Sequence, residues 1–222
     1  MEKKDAIRII NQSAKLFQQN LEGKDFLFIY RRTDEKEFKI LQAQFYDYNF
    51  HHLTGTKLNS TVSSATEFYH KSLTNTLSVN DFEFAEDGTT EQKLDVLLEI
   101  MKIKASAQML GDYNGPRINL YTNKVTGNVK GCLGFVKDSR LNTYVPNTVL
   151  KEDIRKISPK PVAKVFAIFY KDRIISKYNH LCKLDRSMIF EEYKFSDEIE
   201  QLIDRENMIV DFRKNTASSN GK

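Results

Sequence analysis

The sequence is poor in the residues that build several common kinds of site. It has no tryptophan, two cysteines, four histidines and four prolines in 222 residues. Cys132 and Cys182 are far apart in the chain and form no CxxC pair, so neither a disulfide framework nor a cysteine-based zinc site is indicated. No apolar run is long enough to cross a bilayer, and the charged, amphipathic start does not resemble a secretory signal. We therefore expect a cytoplasmic protein without a membrane partner.

Phosphate-binding loops are also missing from the sequence. It contains neither GxxxxGK[ST] nor GxGxxG, the two glycine-rich patterns that hold nucleotide phosphates. The four histidines, His51, His52, His70 and His180, are not spaced with cysteines or carboxylates as the ligands of a zinc site would be. We predict no cofactor and no metal.

What the chain does contain is enough apolar material for a sizeable core. Hydrophobic residues make up 40% of it, and 34 basic residues face 30 acidic ones, so the net charge is only +4. This balance does not require a nucleic-acid partner, although a local basic face could serve one.

The hydrophobic periodicity predicts helices near the start and strands in the second half, which favours an α+β fold with an antiparallel sheet. We expect one domain over residues 1–212, ending with a helix, and a disordered tail over 213–222. The predicted helices cover residues 5–21, 59–73, 90–111, 147–157 and 196–207. The predicted strands cover residues 25–32, 37–50, 117–123, 127–138, 142–146, 160–170 and 173–184.

Two adjacent histidines stand at the end of the second predicted strand, in the stretch NFHHLTG at residues 49–55. If the strand continues, His51 and His52 point to opposite faces, and His52 shares a face with Phe50. His52 is then either a buried, hydrogen-bonded histidine or a catalytic one, and the sequence leaves both open. His51 is expected at the surface, and Thr54 with Gly55 reads as a turn.

A site made of His, Thr, Tyr, Lys and Arg suits RNA cleavage by attack of the 2′-hydroxyl on the adjacent phosphate. Histidine exchanges protons near neutral pH, and lysine or arginine stabilises the charge that develops on phosphoryl oxygens. No metal is needed to activate water, because the nucleophile belongs to the substrate.

Several motifs in order resemble the bacterial and phage-borne family called phage-Barnase-EndoU-ColicinE5/D-RelE-like nuclease 4, over about residues 45–178. The residues that carry the resemblance are Asn49, Phe50, His52, Leu53, Thr54, Gly55, Phe68, Tyr69, Pro146, Leu150, Asp153, Ile154 and Arg155. The spacing from the proline to the leucine is one residue longer here than in the family pattern. The resemblance implies a small ribonuclease-like fold, with helices packed on a curved antiparallel sheet whose open face holds the site.

The resulting hypothesis is a metal-independent endoribonuclease of toxin type, encoded by a phage or mobile element. We expect His52 to act as general base or acid, Thr54 to orient it, and Arg155 to bind the phosphate. The residues predicted to bind RNA are Tyr69, Lys71, Lys171, Lys177 and Tyr178. Each also has a structural interpretation: a tyrosine in the core, a lysine on a solvated face, and Asp153 and Arg155 on a helix without facing each other.

Two other functions stay open. One is a catalytically inert relative that uses the same face to bind RNA or a host protein, for instance as an inhibitor of a host defence system. An antitoxin is the other protein partner to be expected. The other, weaker one is an ADP-ribosyltransferase-like enzyme, for which no matching distal glutamate motif is present.

Overall fold

The structure, a computed structural model, describes residues 1–116 and 121–211. The tail predicted over 213–222 and most of the strand predicted over 117–123 lie outside this range. The helices in the described residues are α1 Lys3–Asn20, α2 Asn49–Thr54, α3 Ala65–Leu73, α4 Thr89–Ile100, α5 Ile103–Ser106, α6 Ile154–Ile157 and α7 Asp197–Glu200. The strands are β1 Lys24–Arg31, β2 Lys39–Gln44, β3 Lys57–Leu58, β4 Phe82–Glu83, β5 Met109–Asp112, β6 Lys124–Gly127, β7 Cys132–Asp138, β8 Thr143–Leu150, β9 Ala163–Asp172, β10 His180–Leu184 and β11 Ile209–Val210.

The large sheet curves until it closes on itself. β1 pairs with β2 on one side and with β9 on the other. From β2 the pairing continues through β8, β7, β6 and β5 and returns to β9, so seven strands form a ring. Within the ring every pair is antiparallel except β2–β8, which meet in parallel at Ala43 and Tyr144. The predicted α+β fold with a curved, mainly antiparallel sheet is therefore confirmed.

β1 is buried on both faces of this sheet. Phe26 and Phe28 face the helices, where α1 contributes the apolar side of its amphipathic pattern, for example Ile10. Leu27 on the opposite face packs under the segment that carries Phe190, Phe195 and Ile199. The unbroken apolar run DFLFIY is thus the sequence of a strand covered on both sides.

The helix predicted over 90–111 ends early. α4 stops at Ile100, and Gly111 lies inside β5 rather than at a helix end. The apolar residues Met101, Ala105 and Met109 continue at helix-like spacing, but they belong to the end of α4, to α5 and to β5 respectively. Periodicity alone could not distinguish this succession of short elements from one long helix.

The helix predicted over 147–157 is mostly a strand. Residues up to Leu150 belong to β8, which pairs along its length with β7 and buries Val149. Only α6 is helical, and its cap is Asp153, whose Oδ1 accepts the Arg155 backbone N–H at 2.9 Å. The β-branched residues and the neighbouring strand outweighed the apparent N-cap at Asn147.

The C-terminal helix is also shorter than predicted. α7 covers a single turn, and the chain then runs parallel to the segment that leads into β10, with a bridge between Ile203 and Tyr178. Arg205 fixes this return through Glu200, with Nε and the carboxylate 2.6 Å apart. No helix in residues 1–116 and 121–211 combines the length and apolar character that crossing a membrane would require.

Candidate functional site

The NFHHLTG stretch forms a short helix rather than the end of a strand, so the predicted strand alternation is wrong here. β2 ends at Gln44, and α2 begins after a turn in which Asn49 Oδ1 accepts the Tyr46 N–H at 2.9 Å. In a helix, residues three and four apart share a face. Phe50 and Leu53 are therefore buried together, while His52 is turned outward.

α2 is held against α4 by contacts at its C-terminal end. Thr90 Oγ1 donates to the Gly55 carbonyl at 2.6 Å, and Lys93 Nζ donates to the His52 carbonyl at 3.0 Å. Gly55 has φ +72°, and a Cβ there would lie 2.7 Å from Lys93 Cδ. The glycine of the motif is thus required both by its backbone angle and by the close approach of α4.

Of the two histidines, His51 departs from the prediction, which placed it at the surface, and His52 takes the exposed of its two predicted positions. The His51 ring is half-buried, meets Phe68 edge-on at 4.9 Å, and its Nε2 has no hydrogen-bond partner among the described residues. Burial, followed by the neighbouring His52, lowers the pKa of His51 from 6.5 to about 4. His51 is therefore neutral at pH 7.

His52, by contrast, is exposed. Partial burial and the positive charge of Lys93 hold its pKa below the ordinary value of 6.5. Its imidazole is neutral at pH 7 and open to solvent. It is thus the histidine of α2 that could accept a proton from a bound molecule.

The hydroxyl of Thr54 does not touch the His52 ring. It is fully buried, donates to the His51 carbonyl at 2.7 Å and lies 2.8 Å from Thr56 Oγ1. These contacts stabilise the turn that ends α2. The expected role of Thr54 as the residue that orients His52 has no contact in support of it.

A stack of planar groups begins one helical turn from His52. The rings of Tyr46 and Tyr48 are stacked, 5.2 Å apart and 12° from parallel, and the guanidinium carbon of Arg173 lies 3.7 Å from the centroid of Tyr46. Because the guanidinium covers one face of Tyr46, Tyr48 occupies the other. Arg173 is itself held by Asp25 and by the Phe45 carbonyl. We call Tyr48, Tyr46 and Arg173 the aromatic stack.

Tyr48 is the outer end of the aromatic stack, with 40% of its surface exposed. It is the N-cap of α2 and has helical backbone angles, φ −65° and ψ −19°. Residues four apart on a helix have Cβ atoms about 5–6 Å apart. Tyr48 and His52 therefore lie side by side on the exposed face of α2. The stack was not predicted from the sequence, although the two tyrosines of YDY before the histidines are a signal for it.

Two residues predicted to bind substrate have partners inside the fold. Tyr69 is fully buried, and its hydroxyl donates to Glu22 Oε2 at 2.7 Å. Lys71 forms an ion pair of 2.9 Å with the buried Asp81. Neither side chain is presented on a surface with His52.

Of the three predicted residues near the last strands, two are in contact, with Lys171 Nζ 5.7 Å from the centroid of the Tyr178 ring, but both are engaged inside the fold. Lys171 pairs with Asp25 at 3.2 Å, and Tyr178 is buried with its hydroxyl 3.1 Å from Gln42 Oε1. Lys177 is exposed. These side chains do not form one basic sheet face interleaved with tyrosines.

Arg155 and Asp153 face each other, contrary to the prediction. Asp153 is the N-cap in extended conformation, not a helical residue, so the Arg155 guanidinium can fold back and bind its carboxylate with Nη2–Oδ2 at 2.6 Å. This pairing lowers the pKa of Asp153 to about 2. Arg155 lies in a hollow of about 760 Å³ whose lining does not include His52, so the structure does not bring these two residues together there.

This hollow adjoins a larger one of about 1010 Å³ through Met109, which lines both. We call the two hollows together the basic groove. Its cationic side chains are Arg155, Lys156, Lys160, Lys164, Lys183 and Arg186, and its acidic ones are Asp153 and Asp185. They come from α6, β9, β10 and the adjoining loops, so no local motif could have predicted the group as a whole.

No set of three His, Cys, Asp or Glu side chains in the described residues is arranged to hold a metal ion.

Comparison with known proteins gives one result. A family model described as phage-Barnase-EndoU-ColicinE5/D-RelE like nuclease 4 matches residues 9–187 of the 222. No curated protein and no solved structure gives a significant match.

Proposed function

Because the chain belongs to the phage-Barnase-EndoU-ColicinE5/D-RelE like nuclease 4 family, we propose that it is a metal-independent endoribonuclease. The proposal includes a toxin-type role for a phage or mobile element and action in the cytoplasm. The family supports nuclease activity. The choice of RNA and of a metal-free reaction depends on the residues around α2.

The observation that carries the proposal is the pairing of an exposed imidazole with an exposed aromatic face. His52 is open to solvent and neutral at pH 7, and Tyr48 lies one helical turn away on the same face of α2. Proteins that bind single-stranded RNA commonly stack unpaired bases on aromatic rings. A base on Tyr48 would place its own ribose beside α2.

In the proposed reaction His52 is the general base. Its neutral imidazole takes the proton of the ribose 2′-hydroxyl, the 2′-oxygen attacks the adjacent phosphorus, and the bond from phosphorus to the 5′-oxygen breaks. The leaving oxygen takes a proton from solvent. The products are a 2′,3′-cyclic phosphate and a 5′-hydroxyl. Arg173 supplies the positive charge of the aromatic stack, with its guanidinium carbon 3.7 Å from the centroid of Tyr46.

The first test is cleavage of cellular RNA in EDTA, followed by analysis of the ends. We expect cyclic phosphates, and we expect His52→Ala to lower kcat by about 10²–10⁴-fold, the usual contribution of a general base. His70→Ala is the matched control, because His70 is an exposed histidine on α3. Intact RNA, or equal activity of the two variants, would refute the proposal. Growth arrest on expression, absent from His52→Ala, tests the toxin role.

The second test concerns the stacked base. Tyr48→Ala should raise KM for short RNA by roughly tenfold, since one base–aromatic stack is worth about 1–3 kcal/mol. Tyr48→Phe keeps the ring and should bind nearly as wild type, and Tyr121→Ala removes a tyrosine that is 87% exposed elsewhere. If Tyr121→Ala has the same effect as Tyr48→Ala, the aromatic stack is not the base site.

One observation favours the inert alternative. The His52 imidazole has no side-chain hydrogen bond to a second acid or base among the described residues, whereas catalytic histidines are usually held by one. If the protein binds RNA tightly in EDTA without cleaving it, a binding function replaces the nuclease.

A further inference from the structure

The basic groove has a local excess of positive charge. Its lining contains six cationic and two acidic side chains, an excess of four. A concave surface lined mainly by charges of one sign attracts a ligand of the opposite sign, here a polyanion.

Several of these cations have no acidic partner. Arg155 and Lys164 are paired with Asp153 and Asp185, at 2.6 and 2.7 Å. The other four are Lys156, Lys160, Lys183 and Arg186, and none of them lies within ion-pair distance of a carboxylate in residues 1–116 and 121–211. Cations that line a concave surface and are not paired with a carboxylate are available to a bound anion.

Lys183 is the most buried of the four. Its ammonium donates to the Ala107 carbonyl and faces the charges of Asp185 and Lys164. Burial lowers its pKa from 10.5 to about 8. Keeping an ammonium at this position costs stability, and a bound anion would offset that cost.

Like charges also crowd beyond one end of the groove. Lys24 and Lys104 both lie over the ring of Tyr170, at 5.8 and 5.5 Å from its centroid. Burial and the charge of Lys104 lower the pKa of Lys24. Lys104 belongs to α5, whose Ser106 lines the groove, so this pair of lysines lies near the groove, together with the carboxylates of Asp172 and Glu22 that act on Lys24.

The rest of the lining fits a sugar–phosphate backbone better than a protein. Hydroxyl and amide groups, from Ser106, Gln108, Asn128 and Ser187, lie between the cations, and such groups bind phosphate and sugar oxygens. No aromatic residue is present in the described lining. Protein interfaces are usually anchored by aromatic side chains, and bases would find no ring to stack on here.

We propose that the basic groove binds the phosphodiester backbone of a single RNA strand, independently of its base sequence. The choice of RNA over DNA rests on the proposed function, whereas the backbone contact follows from the groove itself. The groove is a binding site that includes no residue of α2, so its loss can be measured separately from the chemistry at His52.

The test measures binding of a labelled single-stranded RNA of roughly 12 nucleotides, by fluorescence anisotropy in EDTA over a range of salt concentrations. All proteins carry His52→Ala so that the RNA stays intact. The groove variant is Lys156→Gln, Lys160→Gln, Arg186→Gln. The control variant has the same change in net charge on exposed residues elsewhere, and is Lys4→Gln, Lys15→Gln, Lys36→Gln.

We expect the groove variant to bind roughly tenfold or more weakly, and its slope of log affinity against log salt to be less steep by about 2, since each lost phosphate contact removes about 0.7. The control should bind as wild type. Equal binding by the groove variant and the control overturns the proposal. So does groove-dependent binding of polyglutamate without binding of RNA, which would assign the groove to an acidic protein. If RNA binds through the groove but wild type never cleaves it, the proposed nuclease function fails and the groove stands.

Discussion

Replacing Gly55 with alanine tests whether the motif glycine is required by the contact between α2 and α4. Gly55 has φ +72°, and the new Cβ would lie 2.7 Å from Lys93 Cδ and 3.4 Å from Thr90 Cα. The backbone angle alone costs about 1–2 kcal/mol in a residue with a side chain. In addition, Lys93 must move, and its hydrogen bond to the His52 carbonyl is lost. A hydrogen bond from a charged group contributes about 1.5–3 kcal/mol.

Two other glycines separate these contributions. Gly23 and Gly88 both have φ +74°, and a Cβ on either would meet nothing within 4 Å. Gly23→Ala and Gly88→Ala should therefore lose only the backbone contribution, while Gly55→Ala should lose about twice as much. The readouts are the free energy of unfolding in urea and Tm, which changes by about 2–4 °C per kcal/mol for a chain of this size. If Gly55→Ala is no less stable than the two controls, the close approach of Lys93 does not explain the glycine.

Two further predictions concern the neighbours of His52. The pKa of His51 is about 4 in the folded protein, compared with an ordinary value of 6.5. Between pH 4 and 6.5 the unfolded chain therefore binds more protons at this residue than the folded protein does. The free energy of unfolding should fall as the pH falls from 6.5 to 4. This decrease in the free energy of unfolding is at most about 3 kcal/mol. Urea unfolding measured at several pH values should show a smaller decrease for His51→Leu than for wild type, and an unchanged decrease for His70→Leu. Thr54→Val should cost about 1–3 kcal/mol, because the His51 carbonyl and the Thr56 hydroxyl lose a buried partner. Its kcat per folded molecule should match wild type, and a lower kcat would instead support the role of Thr54 in orienting His52.

The local pattern of apolar residues was sufficient to predict a helix or strand that is long and buries one continuous face. α1, β1 and α3 lie close to where the sequence predicts them, since each has its own apolar period or its own cap, whereas β2 ends at Gln44 and not at Phe50. The pattern failed where elements are short. α2 has six residues, too few for its period to be distinguished from strand alternation, and His51 was therefore expected at the surface although it is half-buried.

The candidate site was predictable only in part, because most of it is assembled by tertiary contacts. The motif located His52, but the aromatic stack needs Arg173, which β9 brings from the far end of the chain to Tyr46. Arg155 was found by its motif, yet its surroundings are other cations rather than a histidine. The order of the strands in the sheet determines which of these side chains become neighbours. The spacing of residues in the sequence does not contain that information.

The separation of the aromatic stack from the basic groove has a consequence for how RNA would be recognised. Contacts to phosphates bind any strand and weaken with salt, whereas stacking on Tyr48 depends on an unpaired base and is little affected by salt. Because the cations that line the groove are separate from α2, attraction of RNA and selection of the cleaved position would be carried by different residues. The phosphates of double-stranded RNA would also be attracted to the groove. Its paired bases, however, are not available to stack on Tyr48. The proposed enzyme should therefore act on unpaired regions, even though the groove alone cannot distinguish them from paired ones by charge.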